Sequence, residues 1–244
     1  MTTSPPGRLY GVGVGPGDPE LMTLKAARVV GDAPVVAFFA KKGAVGNARQ
    51  IVEGHIAPTA EELRFEYPMT TELPPSDPRY KRALSAFYDD AAKTIGGRLD
   101  NGLDVAVLCE GDPFFYGSFM YMHDRLGTSF PTEVIAGVTG MSACWSRAGT
   151  PMTRRSEALS VLSGTLDNER LRARLAEADA AVIMKVGRNL RKIRSALADT
   201  GLLDRAIFVE RGSMDRERIE RLCDKADDDA PYFSLVLVPG RSGR

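Results

Sequence analysis

The feature that most restricts this chain is the spacing of apolar residues in its first half. Short continuous apolar runs of strand length alternate with stretches whose apolar residues recur at helical spacing. Arg8–Val14, Pro34–Phe39, Leu63–Tyr67 and Leu103–Cys109 read as strands. Between them Leu24–Val30, Asn47–Val52 and Arg79–Leu99 read as helices, and Phe119–Leu126 follows as another. In Arg79–Leu99 the residues Ala83, Leu84, Phe87, Ala91 and Ile95 mark one face. Asp18 and Thr23 are rival caps for the first helix. A polar, proline-rich loop is expected from Pro68 to Pro78. Strands that are apolar throughout and joined by helices predict an α/β fold with a mainly parallel, helix-covered sheet.

After Val134–Gly137 the pattern changes. A small-residue helix, Thr139–Ala148, leads to expected strands at Ala158–Leu162, Ala180–Met184, Ala206–Glu210 and Phe233–Val238. Charged helices are expected at Asn168–Glu177, Asn189–Asp199 and Asp215–Asp224, and Asp227–Asp229 as a solvated turn. The reading is of two α/β domains, residues 1–137 and 138–244, with strand directions in the second left open.

Lys plus Arg number 32 and Asp plus Glu number 32. Such balance argues against coating nucleic acid or a membrane surface, since both tasks need a cationic excess. Met1–Gly7 lacks the basic start and apolar run of a signal peptide, and no apolar stretch reaches membrane-spanning length. The expectation is a soluble, cytoplasmic protein with no nucleic-acid or membrane partner. Cys109, Cys144 and Cys223 lack metal-ligand spacing and suit a reduced compartment, so no metal is expected. His55 and His123 stand alone, and packing is the simpler role for Trp145 and Cys109.

Gly11-Val-Gly-Val-Gly-Pro-Gly-Asp18 follows the first strand, where a nucleotide loop would sit. The dinucleotide fingerprint G-x-G-x-x-G fails: its third glycine position falls on Pro16 or Asp18. A Walker loop fails as well, for no lysine occurs before Lys25. What remains is a sharp turn whose glycines permit close backbone approach, with or without a ligand.

Further segments follow in order: Glu110-Gly-Asp-Pro-Phe-Phe-Tyr-Gly-Ser118, Ala136-Gly-Val-Thr-Gly-Met-Ser-Ala143 and Gly149-Thr-Pro-Met152. With Gly13-Val-Gly-Pro-Gly-Asp-Pro-Glu-Leu-Met-Thr-Leu-Lys-Ala26, they resemble the tetrapyrrole methylase family, the class III methyltransferases, over nearly the whole chain. Phe65–Thr70, Asp77–Tyr80, Lys185–Asn189, Val209–Met214 and Pro231–Ser234 resemble the branch that C-methylates a corrin precursor in cobalamin biosynthesis.

The resemblance implies a homodimer of two-domain chains, with the active site in a cleft between the domains. It implies S-adenosylmethionine as methyl donor, S-adenosylhomocysteine as product and a tetrapyrrole as acceptor. Carried over by motif, the donor contacts are Pro16, Gly111, Asp112, Phe115, Thr139, Gly140, Met184 and Gly212. Family members often place other small residues at Gly140 and Gly212. The acceptor carbon must lose a proton after methylation, and Asp112 is a candidate base; holding its own loop or the donor is equally open to it. Tyr67, Met69 and Tyr116 are candidates for a wall against the macrocycle. Its carboxylates call for cations, with Arg154 and Arg155 foremost and Arg147, Lys185, Arg188 and Arg211 also near the motifs. A cobalt-bound acceptor, another tetrapyrrole position and a non-catalytic tetrapyrrole or nucleotide carrier stay open.

Overall fold

The computed structural model describes residues 5–69 and 77–241, so Met1–Ser4 and most of the expected Pro68–Pro78 loop lie outside it. The chain divides into two compact units between Thr139 and Gly140.

The first unit contains β1 (Leu9–Gly13), α1 (Leu24–Asp32), β2 (Val35–Lys41), α2 (Asn47–Ile51) and β3 (Glu61–Tyr67). It continues with α3 (Pro78–Asp100), β4 (Val105–Cys109), α4 (Phe119–Leu126) and β5 (Thr132–Ile135). The sheet order is β3-β2-β4-β1-β5, and every neighbouring pair is parallel. Alternation along each strand sorts the side chains into two layers. Leu9, Val35, Ala37, Val105, Val107 and Cys109 pack against α3 and α4, whereas Val12, Val36, Phe38, Ala106 and Leu108 pack against α1 and α2. Both rival caps are used: Thr23 accepts from Ala26 N to start α1, and Asp18 accepts from Glu20 N to cap a preceding 3₁₀ turn. Asp77 caps α3, with Pro78 in the first turn, where its missing N–H costs nothing. The edge strand β3 is charged and half-exposed, and Glu61 and Glu62 are tied to Arg98 and Arg49. β5 is a strand that the sequence pattern did not announce, because only Ile135 in it is fully buried.

The second unit holds α5 (Gly140–Arg147), β6 (Leu159–Ser163), α6 (Asn168–Ala176), β7 (Ala180–Met184), α7 (Leu190–Asp199), β8 (Ile207–Glu210), β9 (Arg218–Arg221) and β10 (Ser234–Val238). Its order is β6-β7-β10-β8-β9; β6 and β7 are parallel and the remaining pairs antiparallel. β6, β7 and β8 therefore end on one edge of the sheet. One face is covered by α6 and α7 through Leu171, Leu175, Leu190 and Ile193, the other by α5 through Cys144.

The helix expected over Asp215–Asp224 is not formed; its middle is β9. Positive φ at Ser213 and Arg216 is incompatible with a helix starting there. The open edge of β8 takes the segment as a strand instead, with Ile219 turned to the apolar layer and Leu222 N donating to Ala206 O. Asp227–Asp229 is more than a solvated turn: Asp227 accepts from the buried Lys225, and Asp228 from Arg194. Among the described residues no helix is long and apolar enough to cross a membrane.

Phe119 is fully buried and fills the space beside Gly11, where a Cβ would fall 2.4 Å from the ring. Phe119→Ala should leave a cavity costing about 3–5 kcal/mol in denaturant unfolding. A loss below about 1 kcal/mol would mean that the layer is not packed in this way.

Candidate active site

Parallel α/β sheets present their ligand sites at the carboxyl ends of the strands, where loops leave peptide groups uncovered. In the first unit the turns after β4, β1 and β5 stand side by side because these strands are neighbours. Val14 N donates to Cys109 O at 2.9 Å and Gly111 N to Gly15 O at 2.7 Å, so the first two turns are joined beyond the strands themselves. The third is drawn in by Asp112. Its Oδ2 accepts from Gly137 N at 3.1 Å, and its Oδ1 accepts from Phe114 N at 2.9 Å within its own turn.

Glycine is required at this junction for closeness. A Cβ on Gly137 would lie 2.0 Å from Gly111 O, and one on Gly13 would lie 2.6 Å from Gly137 N. The turns touch backbone to backbone, which is possible only where side chains are absent. Gly15 and Gly111 add positive φ values of 84° and 67°. The result is a cradle of bare main chain along three strand ends, carrying N–H and C=O groups rather than side chains. Pro16 is buried beside it, Phe115 half-buried, and Thr139 lies at the end of the segment after β5.

Glu110 is a residue the motif reading passed over. It precedes Gly111, and its carboxyl accepts from the Asn47 side chain and from Ala48 N, at the start of α2. Gly46, the N-cap of that helix, offers no side-chain acceptor, so Glu110 supplies the cap from the neighbouring strand. Burial pushes this carboxyl above the usual carboxylate range, against the opposing pull of those two donors. Its signal was a carboxylate ending a wholly buried strand.

Tyr67 lies in an aromatic cluster, 5.2 Å from Phe87 and 5.9 Å from Phe39 between ring centroids, and its hydroxyl bonds Ser118 Oγ at 2.5 Å. Tyr88 donates to the same oxygen at 3.4 Å. These hydroxyls hold the far end of the 112–118 loop. Tyr116 is exposed and left-handed at φ 58°, a conformation that a side chain of this size adopts only when its loop imposes it. Met69 is half-buried at the end of the described segment.

In the second unit, Met184 ends β7 and packs with Cys144, Val182 and Val209. Gly212 follows β8, and a Cβ there would fall 2.5 Å from Cys144 Sγ, so glycine lets α5 approach the strand end. A Cβ on Gly140 would meet only open space. Arg154 and Arg155 are exposed ahead of β6, and Arg155 has φ 51°. Lys185 and Arg211, directly after β7 and β8, are also left-handed. Arg147 is committed to Glu217 through contacts of 2.8–3.0 Å, and its guanidinium holds that carboxyl below the usual range.

Burial pushes the Cys109 and Cys144 thiols up to about 12, so neither is a nucleophile at neutral pH. His123 packs edge-on against Phe114, and Trp145 packs beside Cys144. Among the described residues no group of His, Cys, Asp and Glu is arranged to hold a metal ion.

With this geometry in hand, likeness to known proteins becomes informative. The sequence profile of the tetrapyrrole (corrin/porphyrin) methylases matches residues 8–223, and the chain belongs to that family. A precorrin-2 C(20)-methyltransferase from Sinorhizobium is 55% identical over 98% of this chain and 97% of its own. A cobalt-precorrin-2 C(20)-methyltransferase from Salmonella typhimurium is 28% identical over 95% of this chain and 96% of its own. The crystal structure of a Thermus thermophilus uroporphyrin-III C-methyltransferase complexed with S-adenosylhomocysteine superposes with a TM-score of 0.63 at 26% identity, covering 95% of this chain and 97% of that one. The chain is an S-adenosylmethionine-dependent methyltransferase of the tetrapyrrole methylase fold. The cradle suits such a donor, since a nucleoside with an amino-acid tail can be held by peptide groups where no side chain intervenes.

Gly137→Ala forces the turns apart, an overpacking cost of about 1–3 kcal/mol. Affinity for S-adenosylhomocysteine should fall about tenfold or more by calorimetry; unchanged affinity would place the donor elsewhere. A second expectation concerns pH. Because the folded state raises the Glu110 carboxyl, it binds that proton more tightly than the unfolded chain does. This group's contribution to stability is therefore greatest below the ordinary carboxyl range and declines as pH rises through the raised value. Glu110→Gln removes the titration, so in urea unfolding the variant should gain on wild type between pH 4 and pH 7. A constant difference would contradict the assignment.

Proposed function

We propose that this chain transfers a methyl group from S-adenosylmethionine to C-20 of precorrin-2, giving precorrin-3A in cobalamin biosynthesis, and that it acts in the cytoplasm as a homodimer. The observation that carries the reading is the backbone cradle at the ends of β4, β1 and β5 in a chain 55% identical to a precorrin-2 C(20)-methyltransferase. The lower identity to the cobalt-precorrin-2 enzyme favours the metal-free acceptor.

Bound S-adenosylmethionine supplies an electrophilic methyl carbon on a sulfonium, already activated for displacement. What the protein contributes is alignment and shielding from water. In this reading Pro16, Gly111, Asp112, Phe115, Thr139, Gly140, Met184 and Gly212 hold the donor. The small or bare positions among them make their contacts through main chain. Tyr67 and Met69 back the macrocycle and Tyr116 flanks it, while Arg154 and Arg155 take its carboxylates.

Asp112 is assigned to holding. Both its oxygens already accept backbone N–H groups, one from each of two turns, and this supports a positioning role over proton acceptance. Asp112→Asn keeps the shape but loses one acceptor. The expected result is S-adenosylhomocysteine binding weakened about tenfold, with kcat at saturating donor changed much less. Full affinity with collapsed turnover would make the residue the base.

Label transfer from methyl-labelled S-adenosylmethionine to precorrin-2, with mass spectrometry of the product from metal-free and cobalt-loaded acceptor, tests the reading as a whole. Binding without transfer would make the chain a carrier. Charge reversal at Arg154 and Arg155 should raise KM for the tetrapyrrole about tenfold, and no change in either variant would remove them from the substrate site.

A further inference from the structure

β2 ends beside β4, so the turn after it is the next neighbour of the donor cradle along the strand ends. This turn, residues 41–46, carries two lysines at the strand ends. Lys41 through Val45 are all exposed, and Val45 keeps 55% of its surface. Neither Lys41 nor Lys42 forms an ion pair with a described residue. Elsewhere in the unit Lys25, Arg49, Arg64 and Arg98 are each matched to a glutamate, while Arg8, Arg28, Lys81, Arg82 and Lys93, like the two lysines, form no ion pair with a described residue. What sets Lys41 and Lys42 apart is their place: two adjacent exposed cations at the strand end next to the donor cradle, where an anionic ligand would be met.

The turn is also braced. Ala44 N donates to Lys41 O at 2.9 Å, and Gly43 N approaches Glu66 Oε1 at 3.4 Å. Gly43 and Gly46 take φ of 77° and 94°. Beyond Gly46, Glu110 accepts from Asn47 and Ala48 N, joining the turn to the residue that precedes Gly111. Alternation puts Lys41 on the face of Ala37 and Phe39, in register with Tyr67, whose hydroxyl reaches Ser118 at the end of the 112–118 loop. The backbone that carries the lysines is thus tied to both ends of the loop after β4, which fixes where their side chains start.

We propose that Lys41 and Lys42 grip carboxylates of the tetrapyrrole, and that Glu110 is the positioning residue that holds their turn against the donor cradle. The inference rests on the methyl acceptor being a polycarboxylated tetrapyrrole, as proposed above. It adds a substrate subsite in the first unit that the motifs did not mark.

The test uses the full chain and two readouts: fluorescence titration with uroporphyrin III, which carries eight carboxylates, and KM for precorrin-2. The double variant K41E/K42E should weaken uroporphyrin III binding and raise KM about tenfold or more. Its melting temperature and S-adenosylhomocysteine affinity should stay at wild-type values, and K41R/K42R should retain tight binding. Unchanged uroporphyrin III affinity and KM in K41E/K42E would overturn the proposal. A wild-type protein that binds uroporphyrin III through these lysines yet methylates no precorrin-2 would keep the grip and remove only the proposed reaction. For Glu110→Gln, KM for the tetrapyrrole should rise more than Kd for S-adenosylhomocysteine. Equal rises would assign Glu110 to the donor cradle alone and overturn its part.

Discussion

Everything at the candidate site depends on peptide backbones meeting without side chains between them. Gly13, Gly111 and Gly137 come from turns far apart in sequence, yet a single added carbon on Gly13 or Gly137 would overlap a neighbouring main-chain atom. Contact this close is possible because the strands leading into the turns are hydrogen-bonded neighbours, β4-β1-β5, with registers that bring their ends level. Asp112 then adds a side-chain link, accepting from its own turn and from the turn after β5. An unpaired carboxylate here would be costly; with two backbone donors it becomes a clasp.

The same edge shows how a protein without net charge can address an anion. In the first unit Lys25, Arg49, Arg64 and Arg98 are matched by glutamates on β3 or β5, while Arg79 and Arg125 pair with aspartates. In the second unit Arg147, Arg172 and Arg194 pair with Glu217, Asp199 and Asp228. Lys41 and Lys42, which form no ion pair among the described residues, are placed at the strand end beside the cradle. Lys185 and Arg211 are held in left-handed backbone directly after β7 and β8. Residues that keep such conformations do so because surrounding structure imposes them, and they cluster where function demands a fixed direction.

Rigidity around the 112–118 loop has a second source in the aromatic layer. Tyr67 and Tyr88 converge on Ser118, and Tyr88 stacks on Tyr121 with centroids 4.3 Å apart. The loop is anchored by Asp112 at its start and by hydroxyls at its end, leaving Phe114 and Tyr116 exposed between. Tyr67 is therefore a structural anchor of this loop.

Much of this was legible in the residues. Continuous apolar runs such as Val105–Cys109 have to be buried on both faces, and that alone specifies a parallel, helix-covered sheet. Motif order carried the family, which the profile match and the relatives bear out. Local pattern failed where local energy was weak: Thr132–Ile135 is too polar to announce a strand, and Asp215–Asp224 has a helical rhythm overridden by the open edge of β8. Only the tertiary structure could decide that Gly13, Gly111 and Gly137 touch, that Glu110 caps a helix more than sixty positions earlier in the chain, and that Arg147 is committed to Glu217 whereas Lys41 and Lys42 have no such partner among the described residues. The reason is physical: periodicity records which side of an element is buried, while contact between turns depends on strand order and register, which arise when the sheet assembles.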